Sequence, residues 1–245
     1  MRFLDVFLFF SLCALPVLLH GQDQLNLYVW NRAGVAVYAE PSTSVALDTL
    51  RYGTALRVIE EGEEVIESLL AFPTDSVFLA YAFFSKWLLI ELDNGHRAHV
   101  LDTYLLPYPP NTSEELSDYF GQLSEVIDER SFGQTDQFCS QTSYAYQSGI
   151  RYTYTDRGPC ESCGQSITQI LLPGWTLQQA FVFLTNFNSE IWDMDGTPVE
   201  NYLDEVTFTV LKDSCPARME WFFAYDQVTL TETENGVEIL IDTVL

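Results

Sequence analysis

The 245-residue chain predicts a mainly β, α+β architecture: a small β-barrel, a linker with one amphipathic helix, and a disulfide-containing α+β domain with an antiparallel sheet and one buried helix. Three observations lead there. Short runs of alternating apolar and polar residues recur along the chain, separated by Gly, Pro and Asn turn chemistry. Tyr (13) and Phe (17) are abundant while charged residues make up only 19%, a balance that suits pleated strands better than long exposed helices. Four cysteines in the second half follow an N-terminal segment with the pattern of an export signal.

Residues 1–21 read as a signal peptide. Arg2 supplies a short positive region, Phe7 to Leu19 an apolar core, and Gly21 a small residue before cleavage. The apolar run is too short for a stable membrane span. The expected address is therefore outside the cytoplasm, periplasmic or extracellular. Cleavage would remove Arg2 and Asp5, taking 11 basic and 35 acidic residues to 10 and 34, so the net charge stays at −24. A surface that acidic repels phosphate backbones and anionic headgroups, which argues against nucleic acid and electrostatic membrane docking.

Export sets how the cysteines are read. Cys13 leaves with the signal, and Cys139, Cys160, Cys163 and Cys215 remain. An even number in an oxidising compartment implies two disulfides, with three possible pairings. A thioredoxin-type pair at Cys160 and Cys163 would need a strand before it and a helix at it, whereas Pro and Gly flank this motif. A four-thiolate zinc ribbon would need two close pairs, and Cys139 and Cys215 stand alone.

The first domain is expected over 25–107. Strand signals appear at "LYVW", "GVAVYAEP" and "ALRVIEE", with turns at Pro41-Ser42-Thr43-Ser44 and Tyr52-Gly53. "WLLIEL" and "RAHVL" flank Asp93-Asn94-Gly95, a tight hairpin signal. Short strands at this spacing close most easily into a small barrel. Trp87 is expected in its core, and His96 and His99, beside the turn, on its surface.

The order Gly34-Val35-Ala36-Val37, Pro41-Ser42-Thr43-Ser44, Leu50, Gly53, Val58, Trp87, Gly95, Val100 and Tyr104-Leu105 resembles the bacterial SH3-like (SH3b) family. The match covers about a third of the chain. Tyr38 stands where the family often has Arg, Arg97-Ala98-His99-Val100 replaces its late Gly-aromatic-Val, and residues 62–85 form an insertion. The resemblance implies a barrel that helps an envelope protein bind a cell-wall peptide or another protein.

Residues 108–134 read as a linker. Pro107, Pro109 and Pro110 stiffen it, Thr112 or Ser113 can cap a helix, and Glu114 and Glu115 suit its first turn. Leu116, Tyr119, Phe120, Leu123, Val126 and Ile127 then follow helical spacing. Over 135–245 strand signals dominate: "GIRYTYTD", "VTFTVL", "RMEWFFAY", "QVTLTETE" and "GVEILIDTV", with a hairpin turn at Glu234-Asn235-Gly236. One buried helix, "LQQAFVFLTNF", interrupts them behind a Thr176 cap.

No phosphate loop, dinucleotide fingerprint or serine elbow is present, so no cofactor is expected. A cysteine peptidase places its His after its Cys, but His96 and His99 precede every remaining cysteine. Asp193, Asp195 and Glu200 are the weak candidates for a cation, although Gly196 comes too early for a calcium loop and a turn fits better. The reading that fits is a non-catalytic, exported binding or interaction protein of the bacterial cell envelope, recognising a peptide, glycan or protein partner. Tyr38, Tyr52 and Tyr104 are the expected ligand-binding residues, from their strand and turn positions. The alternative is a carboxylate-dependent cell-wall or glycan hydrolase in the C-terminal domain, which would need two carboxylates roughly 5–10 Å apart, one with a raised pKa.

Overall fold

A computed structural model describes residues 26–72, 79–92, 94–110, 113, 115–134, 139–158, 164–187, 208–211, 217–223 and 226–244. Two antiparallel sheets carry most of it. The first holds β1 (Asn26–Val29), β2 (Val35–Tyr38), β3 (Ala46–Leu50), β4 (Ala55–Phe72), β5 (Leu79–Glu91), β6 (Arg97–Leu101) and β7 (Leu105–Leu106). Their order is β3-β2-β6-β5-β4-β1-β7. A single 3₁₀ turn, Asp102–Tyr104, leads into β7.

The turns fall where turn chemistry calls for them. Gly53 (φ 82°) and Gly95 (φ 76°) hold the left-handed conformation that side chains resist. Gly95 N–H bonds the Leu92 carbonyl at 2.8 Å, and Leu92 N–H the His96 carbonyl at 2.8 Å, which closes the β5–β6 hairpin. Asp93 of that turn lies outside the described residues. The described residues of the 62–85 insertion lengthen β4 and β5, paired out to Phe72 opposite Leu79.

The sheet is open, which corrects the expectation of a closed barrel. Among the described residues no pairing joins edge strand β3 to edge strand β7. β3 buries almost nothing, with Leu47 59% exposed, so no apolar gain draws it across. β7 has two residues, Leu105 facing the first core and Leu106 the second.

The expected linker helix is shorter than its apolar spacing suggests. α1 runs only from Leu116 to Leu123, its N-cap is Glu115 with no side-chain cap bond, and Ser124 is extended. Ser113 Oγ instead accepts the Glu115 N–H at 3.3 Å in a local turn. Val126 and Ile127 then belong to β8 (Val126–Gln134) and are exposed. Pairing of β8 with β9 (Cys139–Tyr146) sets Val126 opposite Tyr146 and Asp128 opposite Ala145, with Ile127 in the irregularity between them.

The second sheet adds β10 (Arg151–Asp156), β11 (Gln165–Pro173), β12 (Phe208–Leu211), β13 (Arg218–Phe223), β14 (Asp226–Thr233) and β15 (Gly236–Val244). Their order is β12-β13-β14-β15-β11-β10-β9-β8. α2 (Leu177–Phe187) is the expected buried helix, from Leu177 to Asn186 largely buried on every side. Its cap forms as the sequence implies: Thr176 Oγ1 accepts the Gln179 N–H at 3.2 Å while Gln179 Oε1 accepts the Thr176 N–H at 3.1 Å. Both helices pack on one face of this sheet, against Tyr146, Ile170, Leu172, Leu230 and Ile239.

Two cores result, and the chain between them is shared. Leu27, Val29, Val37, Leu88, Ile90 and Val100 form the first. The second takes Trp30, which follows β1, and Leu106 of β7 and packs them with Tyr119, Phe120 and Phe183. Strand alternation explains the split, because successive side chains point to opposite faces. Trp30 meets Phe183 edge-on at 5.4 Å, and its Nε1–H donates to the Tyr108 carbonyl at 2.7 Å. Burying an aromatic ring of this size contributes about 2–3 kcal/mol.

Candidate functional site

β-strand alternation gives the second sheet two different faces. Tyr144, Tyr152, Ile170, Ile239 and Leu230 point to the helices. Their neighbours in sequence point the other way, where no described element covers them. Register aligns those outward residues into rows across the sheet. Arg151 pairs with Leu171, Leu171 with Glu238, Glu238 with Thr231, and Thr231 with Arg218. The next row holds Thr153, Gln169, Leu240, Thr229 and Glu220.

These rows line an open groove of about 410 Å³ spanning β10, β11, β15, β14 and β13. Its walls mix two guanidiniums, one carboxylate, three threonine hydroxyls, the Gln169 amide and the apolar Leu171 and Leu240. Arg218 Nη2 is ion-paired to Glu220 Oε1. Its Nε is buried and has no hydrogen-bond partner among the described residues, a cost unless something satisfies it. Arg151 and Glu238 make no ion pair among the described residues. Beside the groove, Thr153 Oγ1 donates to Ser143 Oγ at 3.1 Å. Arg130, Arg151 and Arg218 share this face with Asp128, Glu220, Glu238 and Asp242, and Arg130 and Arg218 are ion-paired to Asp128 and Glu220.

The tyrosines named from sequence sit elsewhere, in two places. Tyr38 is half-buried with its ring edge-on to Trp87 at 5.5 Å; Trp87 is buried, as expected of a core residue. Tyr52 lies edge-on to Trp30 at 6.3 Å beneath the Arg32 guanidinium, 5.2 Å from its ring centre. Burial raises its pKa and the Arg32 charge opposes that rise. Tyr104 packs against the second core, and burial pushes its phenol up to about 12. Tyr52 and Tyr104 therefore support the junction between the sheets. His96 is exposed, but His99 is half-buried, opposite Tyr38, and its buried Nδ1 has no hydrogen-bond partner among the described residues.

Asp193, Asp195, Glu200, Cys160, Cys163 and Cys215 lie outside the described residues, and Cys139 is described only as the backbone that opens β9. Among the described residues no group of three His, Cys, Asp or Glu side chains is placed to hold a metal ion, and no helix is long and apolar enough to cross a membrane.

Sequence reasoning passed over Arg151, Gln169, Arg218 and Glu238. The signal for part of the groove was present in the Arg-x-Thr of "GIRYTYTD" and the alternate threonines of "QVTLTETE", which mark outward positions of a strand. What it lacked was the strand order that brings those positions together. The described residues define a class: an all-antiparallel, two-sheet architecture with a mixed polar sheet face that no described element covers. Comparison of the chain with protein-family models, curated proteins and solved structures found no match.

Proposed function

We propose that this is a non-catalytic binding or interaction protein of the bacterial cell envelope, exported by its N-terminal signal. In this reading a first unit whose sequence pattern resembles the SH3-like family accompanies a second β-rich unit stapled by two disulfides among Cys139, Cys160, Cys163 and Cys215. The groove of the second sheet recognises a peptide, glycan or protein partner. One observation carries the reading: a wide, polar, uncovered sheet face whose guanidiniums and hydroxyls converge on one groove. A sheet face with no partner to pack against ordinarily carries scattered charges, whereas binding surfaces gather a few oriented polar groups around apolar contacts.

The hydrolase alternative asks for a carboxylate of raised pKa in the second unit. The described carboxylate that burial raises is Asp102, in the first sheet, where its Oδ1 accepts the Lys86 backbone N–H at 2.8 Å. The deciding experiment is a pull-down of the purified mature protein against envelope fractions, with digestion of cell-wall material followed in parallel. Stable capture without release of fragments supports binding; release of fragments overturns it.

A further inference from the structure

The groove's charges alternate. Along one row the register runs Arg151, Leu171, Glu238, Thr231, Arg218, so a carboxylate sits two strands from each guanidinium. Neighbouring strands lie about 4.8 Å apart, which spaces these three charges at about 10 Å steps and the two arginines about 19 Å apart. Arg151 and Glu238 are exposed and make no ion pair among the described residues. Arg218 is anchored through Nη2 by Glu220 while its Nε–H has no acceptor among the described residues. A carboxylate that takes the place of Glu220 would reach both Nε–H and Nη2–H in a bidentate contact.

The pattern discriminates between charge types. A simple polyanion meets repulsion from Glu238 at the centre, and a polycation meets it from the arginines at both ends. Salt screens the acidic remainder of the molecule beyond about 8 Å at physiological ionic strength, so the local order of charges decides. The complement of plus, minus, plus is minus, plus, minus. A peptide in the extended polyproline-II conformation advances about 3.1 Å per residue with three residues per turn, so charged side chains three residues apart share one face and match the steps of about 10 Å. Thr153, Thr229, Thr231 and Gln169 line the same groove and offer donors and acceptors to such a chain's amides.

We infer that the groove selects an extended zwitterionic peptide, a cationic side chain seated on Glu238 between two carboxylates held by Arg151 and Arg218. This rests on the binding reading above and goes beyond it by naming the ligand's charge order. Isothermal titration calorimetry of the full mature chain tests it with three capped heptapeptides: Glu-Gly-Gly-Lys-Gly-Gly-Glu, the inverted Lys-Gly-Gly-Glu-Gly-Gly-Lys, and the all-acidic Glu-Gly-Gly-Glu-Gly-Gly-Glu. The first should bind about tenfold or more tighter than either of the others, as two charge-assisted contacts predict. Glu238→Lys should transfer that preference to the all-acidic peptide, and Arg151→Glu should abolish it, with far-UV circular dichroism unchanged in both. Equal affinity for the three peptides, or a preference that survives Glu238→Lys, overturns the inference. Tighter binding of an amino-sugar–uronate oligosaccharide than of any peptide also overturns it. If the envelope pull-down captures a partner that Arg151→Glu and Glu238→Lys retain unchanged, the groove assignment fails while the binding reading stands. If nothing is captured and no peptide binds, both fail.

Discussion

Arg32 donates from Nη2 to the backbone carbonyl of Asn186 across 3.1 Å, joining residues 154 positions apart. Its Nε donates to the same oxygen at 3.3 Å, and its guanidinium lies over Tyr52. A cation at the C-terminal turn of α2 also meets the negative end of the helix dipole. One side chain from the β1–β2 turn therefore holds the first sheet to the helix that covers the second.

Arg32→Ala should lower stability by about 1–3 kcal/mol, the sum expected for charge-assisted bonds and a cation–π contact. Urea unfolding of the variant checks this. Arg32→Lys should recover only part of the loss, because an ammonium cannot reproduce the planar fork.

Trp30→Ala should cost about 3–5 kcal/mol, as aromatic truncations in cores do. Its particular signature is remote. Hydrogen exchange should quicken in the β14–β15 region, whose Leu230 and Ile239 share a core with Trp30. Exchange confined to the first sheet would contradict the shared packing.

Gly236→Ala should be among the most damaging single changes. Gly236 has φ 140°, and a Cβ there would overlap the Leu172 carbonyl oxygen and come within 2.7 Å of the Gly174 nitrogen. Both obstacles are backbone, so neither can swing aside. Gly95→Asn offers the contrast: nothing lies within 4 Å of the added Cβ, and Asn tolerates the left-handed region, so the loss should stay near 1 kcal/mol. Thermal unfolding of the two variants separates clash from conformational cost.

Stability should fall as pH rises above 10. Burial holds Tyr104 and Tyr146 protonated up to about 12 in the folded protein, whereas the unfolded phenols ionise at about 10. The folded state then binds more protons than the unfolded state, so their contribution, complete below pH 10, is lost through about pH 12. Urea midpoints measured across that range check the slope. Asp102 works against the fold at neutral pH: burial raises its pKa, so the carboxylate is costly where it is charged. Asp102→Asn keeps an acceptor for the Lys86 N–H and should raise stability at pH 7, a gain that disappears below pH about 4, where the carboxyl is neutral in both states.

Much of the secondary structure was legible in the chain. Alternation located β2, β10, β14 and β15, Gly53, Gly95 and Gly236 marked turns, and Thr176 announced the start of α2. Each of these signals is local, set by side-chain period or backbone φ, so neighbouring residues suffice to express it. The end of α1 was not legible, because Val126 and Ile127 fit a helical stripe as well as a strand, and only β9 alongside decides between them. The open first sheet likewise depends on burial that β3 lacks and that Leu106 finds in another core.

The same division governs function. The sequence by itself determined the acidity of the chain, the β-rich class, the outward placement of Arg151 and Thr153 on their strand, and the cysteine set. Only the tertiary structure decided that Arg151, Glu238 and Arg218 share one row, and that Tyr52 and Tyr104 brace a junction. The reason is register. Period-2 alternation says which face a residue takes, but the residue it stands beside is set by long-range pairing of strands up to dozens of positions apart.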